Sequence, residues 1–74
     1  MNEKFLTAFL ERAGYDPEIG HHSISFSETV SPQVLTVGVS TVGKFDVLFS
    51  RGEVEFAKAL LESAGRTDVE IELP

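Results

Sequence analysis

Apolar side chains recur at Phe5, Leu6, Phe9, Leu10 and Ala13, while Lys4, Thr7 and Glu11 fall on the opposite side. That spacing predicts a helix over residues 3–13 with one apolar face. Asn2 stands where an N-cap belongs, and Gly14 where a left-handed C-cap belongs. Asp16-Pro17 then bars continuation, because proline disfavours the helical conformation of the residue before it. Over residues 22–28 the period changes to two: Ile24 and Phe26 fall on one face, Ser23, Ser25 and Ser27 on the other. This is the pattern of a half-buried strand, closed off by Ser31-Pro32.

Two further strands are expected at 34–39 and 45–49, with Leu35, Val37 and Val39 sharing one face and Phe45, Val47 and Phe49 another. The short link from Ser40 to Lys44 argues for an antiparallel hairpin. Ser50 with Glu53 three residues on has the spacing of a capping box, so a second helix starts there. Phe56, Ala57, Leu60, Leu61 and Ala64 give it an apolar face, and Gly65 stops it. Strict alternation over 68–73 predicts a last strand. The order α-β-β-β-α-β implies an α+β two-layer sandwich, a single domain over residues 1–74. Both helices pack on one face of a four-stranded, mixed, mostly antiparallel sheet, whose last strand lies at an edge, parallel to the first or third. The other sheet face carries Ser23, Ser25, Ser27, Thr36, Gly38, Asp46, Glu70 and Glu72, polar enough to meet water.

The helices echo each other at an offset of 51 residues: Phe5/Phe56, Ala8/Ala59, Leu10/Leu61, Glu11/Glu62, Ala13/Ala64 and Gly14/Gly65 are identical pairs. Duplication of a helix–glycine–strand unit would give this pattern, and so would any two amphipathic helices ending in Ala-Gly. Either origin leaves equivalent apolar faces that can pack side by side.

Composition narrows the chemistry. In a chain of 74 residues, 42% are apolar and 24% charged, which is globular rather than disordered. The absence of cysteine removes disulfides, thiolate nucleophiles and Cys-based zinc sites. No stretch approaches the roughly 18 apolar residues of a membrane span. Met1-Asn2-Glu3-Lys4 runs straight into the amphipathic pattern without the basic start and apolar run of a signal peptide. A cytoplasmic location without membrane association is the expectation.

Three motifs invite a catalytic or ligand-binding reading. Gly38 to Lys44 fits G-x-x-x-x-G-K, but Phe45 replaces the magnesium-binding hydroxyl and a strand follows where a helix N-terminus is required. Asp16, Glu18, His21 and His22 bring imidazole and carboxylate within seven residues, admissible as metal ligands. Yet Pro17 and Gly20 mark a solvated loop, and adjacent histidines entering a strand point to opposite faces. A metal- or small-ligand-binding enzyme using His21 and His22 is therefore the weakest of three readings. Serines are plentiful, but a triad needs a buried, oriented histidine beside one of them. No cofactor, metal or catalytic residue is expected.

The α-β-β-β-α portion resembles the double-stranded-RNA-binding domain in element order and size. In that family a basic cluster at the start of the second helix grips phosphates. The matching stretch here, residues 50–59, has only Arg51 and Lys58 as bases, with Glu53 and Glu55 opposing them, and the final strand is extra. The resemblance thus implies topology without direct nucleic-acid binding, as a net charge of −6 also argues.

That charge is unevenly spread. Residues 53–74 hold six acids against Lys58 and Arg66, whereas residues 1–52 hold six acids against four bases. Glu55 and Glu62 line the solvent side of the second helix; Asp68, Glu70 and Glu72 alternate along the last strand, about 6.6–6.8 Å apart. Acids on an edge strand blunt aggregation. Regularly spaced carboxylates can also imitate a phosphate backbone and fill a basic groove on a protein partner. Small acidic inhibitors encoded by bacteriophages, anti-CRISPR proteins among them, are similar in size and charge. The leading expectation is a non-enzymatic interaction module, an inhibitor docking through Glu55, Glu62, Asp68, Glu70 and Glu72 on a basic, nucleic-acid-binding surface. A structural subunit that completes its core as a homodimer is the alternative.

Overall fold

The computed structural model describes residues 2–37 and 47–74. The elements are α1 (Asn2–Arg12), β1 (His22–Glu28), β2 (Val34–Val37), β3 (Leu48–Ser50), α2 (Arg51–Ser63) and β4 (Val69–Glu72). This is the expected α-β-β-β-α-β order. The phosphate-loop-like stretch Gly38 to Lys44 lies outside the described residues, as do Val39, Phe45 and Asp46, the inner ends of two expected strands.

The strands form one sheet in the order β3-β2-β1-β4. β2 runs antiparallel to both β1 and β3, with Phe26 opposite Val37 and Leu35 opposite Phe49. β4 pairs with β1 in parallel, Ile24 against Ile71. A parallel neighbour cannot be reached by a hairpin, so α2 serves as the crossover from β3 over two strands to the far edge. Of the two partners the sequence left open for the last strand, the structure selects β1.

Both helices lie over one face. Phe9, Leu10 and Ala13 of the first helical segment meet Ile24, Phe26, Leu35, Val37 and Phe49, while Val54, Ala57 and Leu61 of α2 complete the core with Val69 and Ile71. Among the described residues no polar or charged side chain is buried. At the centre, the rings of Phe9, Phe26 and Phe49 meet pairwise at centroid distances of 5.2–5.9 Å. Tilted and edge-on pairs of this kind contribute about 0.5–1.5 kcal/mol each beyond simple burial.

The apolar arc of α2 is divided between two neighbours. Val54, Ala57 and Leu61 face the sheet; Phe56, 47% exposed, leans its ring on Phe5 of α1 at 5.1 Å. Of the expected face Phe56, Ala57, Leu60, Leu61 and Ala64, the core takes Ala57 and Leu61, and it adds Val54. Ala64 is exposed because it is the C-cap. At the start of α2 the capping box is complete: Ser50 Oγ accepts from the Glu53 N–H, and Glu53 Oε1 accepts from the Ser50 N–H at 3.0 Å. Asn2 differs from its expected role, being already the first residue of α1.

The two helices end alike. The Tyr15 N–H donates to Leu10 O and the Gly14 N–H to Glu11 O; at an offset of 51 residues, Arg66 donates to Leu61 O and Gly65 to Glu62 O. Both glycines hold positive φ, +86° and +67°, which L-residues adopt only at a cost. The echo in sequence is thus an echo in conformation: each helix turns through the same glycine-based C-terminal motif toward one of the two parallel strands.

Candidate functional site

The sheet face away from the helices is polar along β1 and β4, whereas on β2 and β3 it also carries Val34 and the exposed Leu48. Ser23, Ser27, Glu70 and Glu72 on it are exposed, and Ser25 and Thr36 are half-buried. The register sets Glu70 beside Ser23 and Glu72 beside Ser25. Ser25 Oγ donates to Glu72 at 2.7 Å, whereas Ser23 Oγ reaches Glu70 only at 3.5 Å. Neither glutamate has an ion pair among the described residues. Elsewhere among the described residues four bases are taken: Arg12 pairs with Glu53, Arg51 with Glu28, Lys58 with Glu62, and Arg66 with Asp68. Glu70 and Glu72 are left as neighbouring carboxylates met only by hydroxyls.

Asp68, the third acid expected in this row, lies just before β4, and its carboxylate is held elsewhere. Arg66 donates to it twice, from Nε at 3.1 Å and from Nη2 at 2.6 Å, and the Tyr15 hydroxyl donates at 2.8 Å. The Arg66 guanidinium first, and the tyrosine second, keep the Asp68 carboxyl well below the usual carboxylate range. By the same contact Asp68 raises the Tyr15 phenol above its ordinary value, and it also raises Arg66. Tyr15 and Arg66 are the residues immediately after the two helix-ending glycines. Their meeting on Asp68 ties both helix exits to the start of β4. With its carboxylate ionised and occupied from two sides, this cluster is a clamp. The sequence held one hint of it, the shared Ala-Gly endings that place Tyr15 and Arg66 in equivalent positions.

The other two expected site residues lie on α2. Glu55 is exposed, and exposed Glu62 is bridged by Lys58 at 3.2 Å. Since α2 covers the opposite face of the sheet, Glu55 and Glu70/Glu72 do not share one surface. The five acids expected to act together are separated into a free pair on the sheet, two neutralised acids, and one on the helix. In the loop after α1, Asp16 Oδ1 accepts from the Glu18 N–H at 2.9 Å, and His22 rests half-buried against the Tyr15 ring. Among the described residues no three His, Asp or Glu side chains gather as a metal-holding group. No helix among them is long and apolar enough to cross a membrane.

The two sheet edges are unlike. Arg51 N–H donates to Gln33 O, so backbone groups of Phe49 turn toward β2 and those of Leu48 and Ser50 turn outward. Each outward position has one backbone group taken. Arg12 Nη2 donates to Leu48 O at 2.7 Å, and the capping-box glutamate accepts from Ser50 N–H. At the other edge, His22 N–H donates to Asp68 O, so Glu70 and Glu72 turn their backbone groups toward β1 and Val69 and Ile71 turn theirs outward. There the one described contact is Lys58 Nζ to Ile71 O, at 3.4 Å.

No protein-family model matches the chain, and neither the curated proteins nor the solved structures contain a significant match to it.

Proposed function

We propose that this protein is a non-enzymatic interaction module that docks the Glu70–Glu72 strip onto a basic surface of a protein partner in the cytoplasm. On a partner whose basic surface binds nucleic acid, the strip competes with phosphates and the module acts as an inhibitor. The observation that supports this reading is the pairing pattern. Among the described residues four acids are matched to bases, while two adjacent, same-facing carboxylates have hydroxyl neighbours alone. A basic groove would supply the missing cations and steer the encounter through long-range attraction. Self-association is less well supported, because Arg12 and Glu53 already occupy Leu48 O and Ser50 N–H on β3. Pairing two β4 edges side by side would also set glutamate against glutamate.

The test is comparative capture with the tagged chain and its Glu70→Lys/Glu72→Lys variant. A partner docked on the strip is retained by the native chain at about 0.1 M salt and released near 1 M, as the screening length falls from about 10 to 3 Å. The variant does not retain it. A partner held equally by both, at both salt concentrations, refutes the reading.

A further inference from the structure

The acidic strip lies on an edge strand whose backbone is open. Val69 and Ile71 present N–H and C=O groups to the outside, and the only described hydrogen bond there is the 3.4 Å contact from Lys58. That lysine is also shared with Glu62 at 3.2 Å, and its side chain is partly exposed, so it can swing clear without disturbing the core. Alongside runs a groove of about 230 Å³ between α2 and β4, lined in part by Leu61, Val69, Ile71 and Arg66. An edge strand beside a helix, with a groove between them, is the geometry by which extended peptides add to a sheet.

Resting on the docking reading above, we infer that β4 receives an extended segment of the partner as a fifth strand, one in which Lys or Arg alternates with apolar residues. The alternation follows from the pleat. Side chains of an added strand fall by turns on the open face, beside Glu70 and Glu72, and on the helix side, over the groove. Charge decides the occupant. A second copy of β4 would place its own glutamates there, and a nucleic acid its phosphates; only a basic segment supplies cations. On the β3 edge Arg12 already occupies Leu48 O at 2.7 Å and Glu53 the Ser50 N–H at 3.0 Å, and no acidic pair lies beside it.

The probe is a fluorescent, terminally blocked peptide of sequence Lys-Val-Lys-Ile-Lys-Val. Its control has the same side chains but N-methylated backbone amides, which cannot donate. The native chain is expected to bind the parent peptide at least tenfold more tightly than the control, the loss expected for one or two hydrogen bonds. Exchange of the Val69 and Ile71 amides should slow about tenfold on binding. Glu70→Lys/Glu72→Lys should weaken binding about tenfold or more. Lys58→Ala should tighten it a few-fold by freeing Ile71 O and removing a like charge. This gain keeps the test open should the charge-reversed variant fold poorly. Equal binding of both peptides, with unchanged exchange at Val69 and Ile71, overturns strand addition and leaves the acidic docking strip standing. If neither peptide binds the native chain better than the charge-reversed one, both ideas fall.

Discussion

Leu61→Ala and Phe56→Ala, made separately, test how α2 is rotated over the sheet. Both positions carry apolar residues at helical spacing, and phenylalanine is the larger. Leu61, however, is 3% exposed in the core, whereas Phe56 is 47% exposed and leans on Phe5. Truncating a buried leucine removes its transfer energy and leaves a cavity, a cost of about 3 kcal/mol within the usual range of roughly 2–5. Half of a phenylalanine's burial, without a cavity, is worth about 1 kcal/mol, to which part of a ring pair adds a few tenths. A domain of this size has a total stability of about 4–11 kcal/mol, so the first loss is severe and the second tolerable. In urea denaturation, with a slope near 1 kcal/mol per M for so short a chain, midpoints should fall by about 3 M for Leu61→Ala and about 1 M for Phe56→Ala. A larger shift at Phe56 would mean that α2 is turned by roughly 140° from the orientation described, and equal shifts a turn of about half that.

Three further outcomes follow from local geometry. The carboxyl of Asp68, followed by NMR titration, should move up furthest toward its ordinary 3.8 in Arg66→Ala and part of the way in Tyr15→Phe, in the order of their contributions. Because the folded value lies below the unfolded one, the stability this clamp provides is present above pH 3.8 and lost as pH falls through the depressed value. Stability curves of the native chain and Arg66→Ala should therefore converge in acid; a gap that persists at the lowest accessible pH would contradict the assignment. Gly65→Ala should destabilise by about 1 kcal/mol because its φ is +67°, while Gly52→Ala, in the first turn of α2 with open space at its Cβ, should stabilise by about 0.5–1 kcal/mol. Thermal melts that rank these two glycines the other way would show that the two helix ends are misplaced. Ser50→Ala removes the cap and should cost about 1 kcal/mol in the same assay; an unchanged melt would mean the capping box contributes nothing.

Elements set by near neighbours were legible in the sequence, and arrangements set by distant ones were not. The capping box at Ser50 and Glu53 is a three-residue signal, and the serine alternation of β1 returned its bounds to the residue. Periodicity placed Ala57 and Leu61 on the α2 face but missed Val54 because the apolar arc is wide: Phe56 serves the contact with α1, and Val54, Ala57 and Leu61 the sheet. Counting apolar positions cannot divide one arc between two neighbours. The choice of β1 over β3 as the partner of β4 is made by a crossover of the whole second helix. Of the candidate site, Glu70 and Glu72 were legible as a same-facing pair. The loss of Asp68 to the clamp was not, since Tyr15 lies 53 residues away. The difference between the two edges depends on Arg12 reaching Leu48 O, a contact that only the fold brings about.

The association rate of a partner retained by capture, measured across salt concentration for the native chain and for Glu70→Gln/Glu72→Gln, tests the docking strip most directly. Glutamine keeps the size and the serine hydrogen bonds while removing the charge. The native rate should fall steeply between about 0.1 and 1 M salt, and at the lower concentration the variant should associate roughly tenfold more slowly with little salt dependence. Equal rates for the two proteins, with the same response to salt, would contradict a role for Glu70 and Glu72 in recognition.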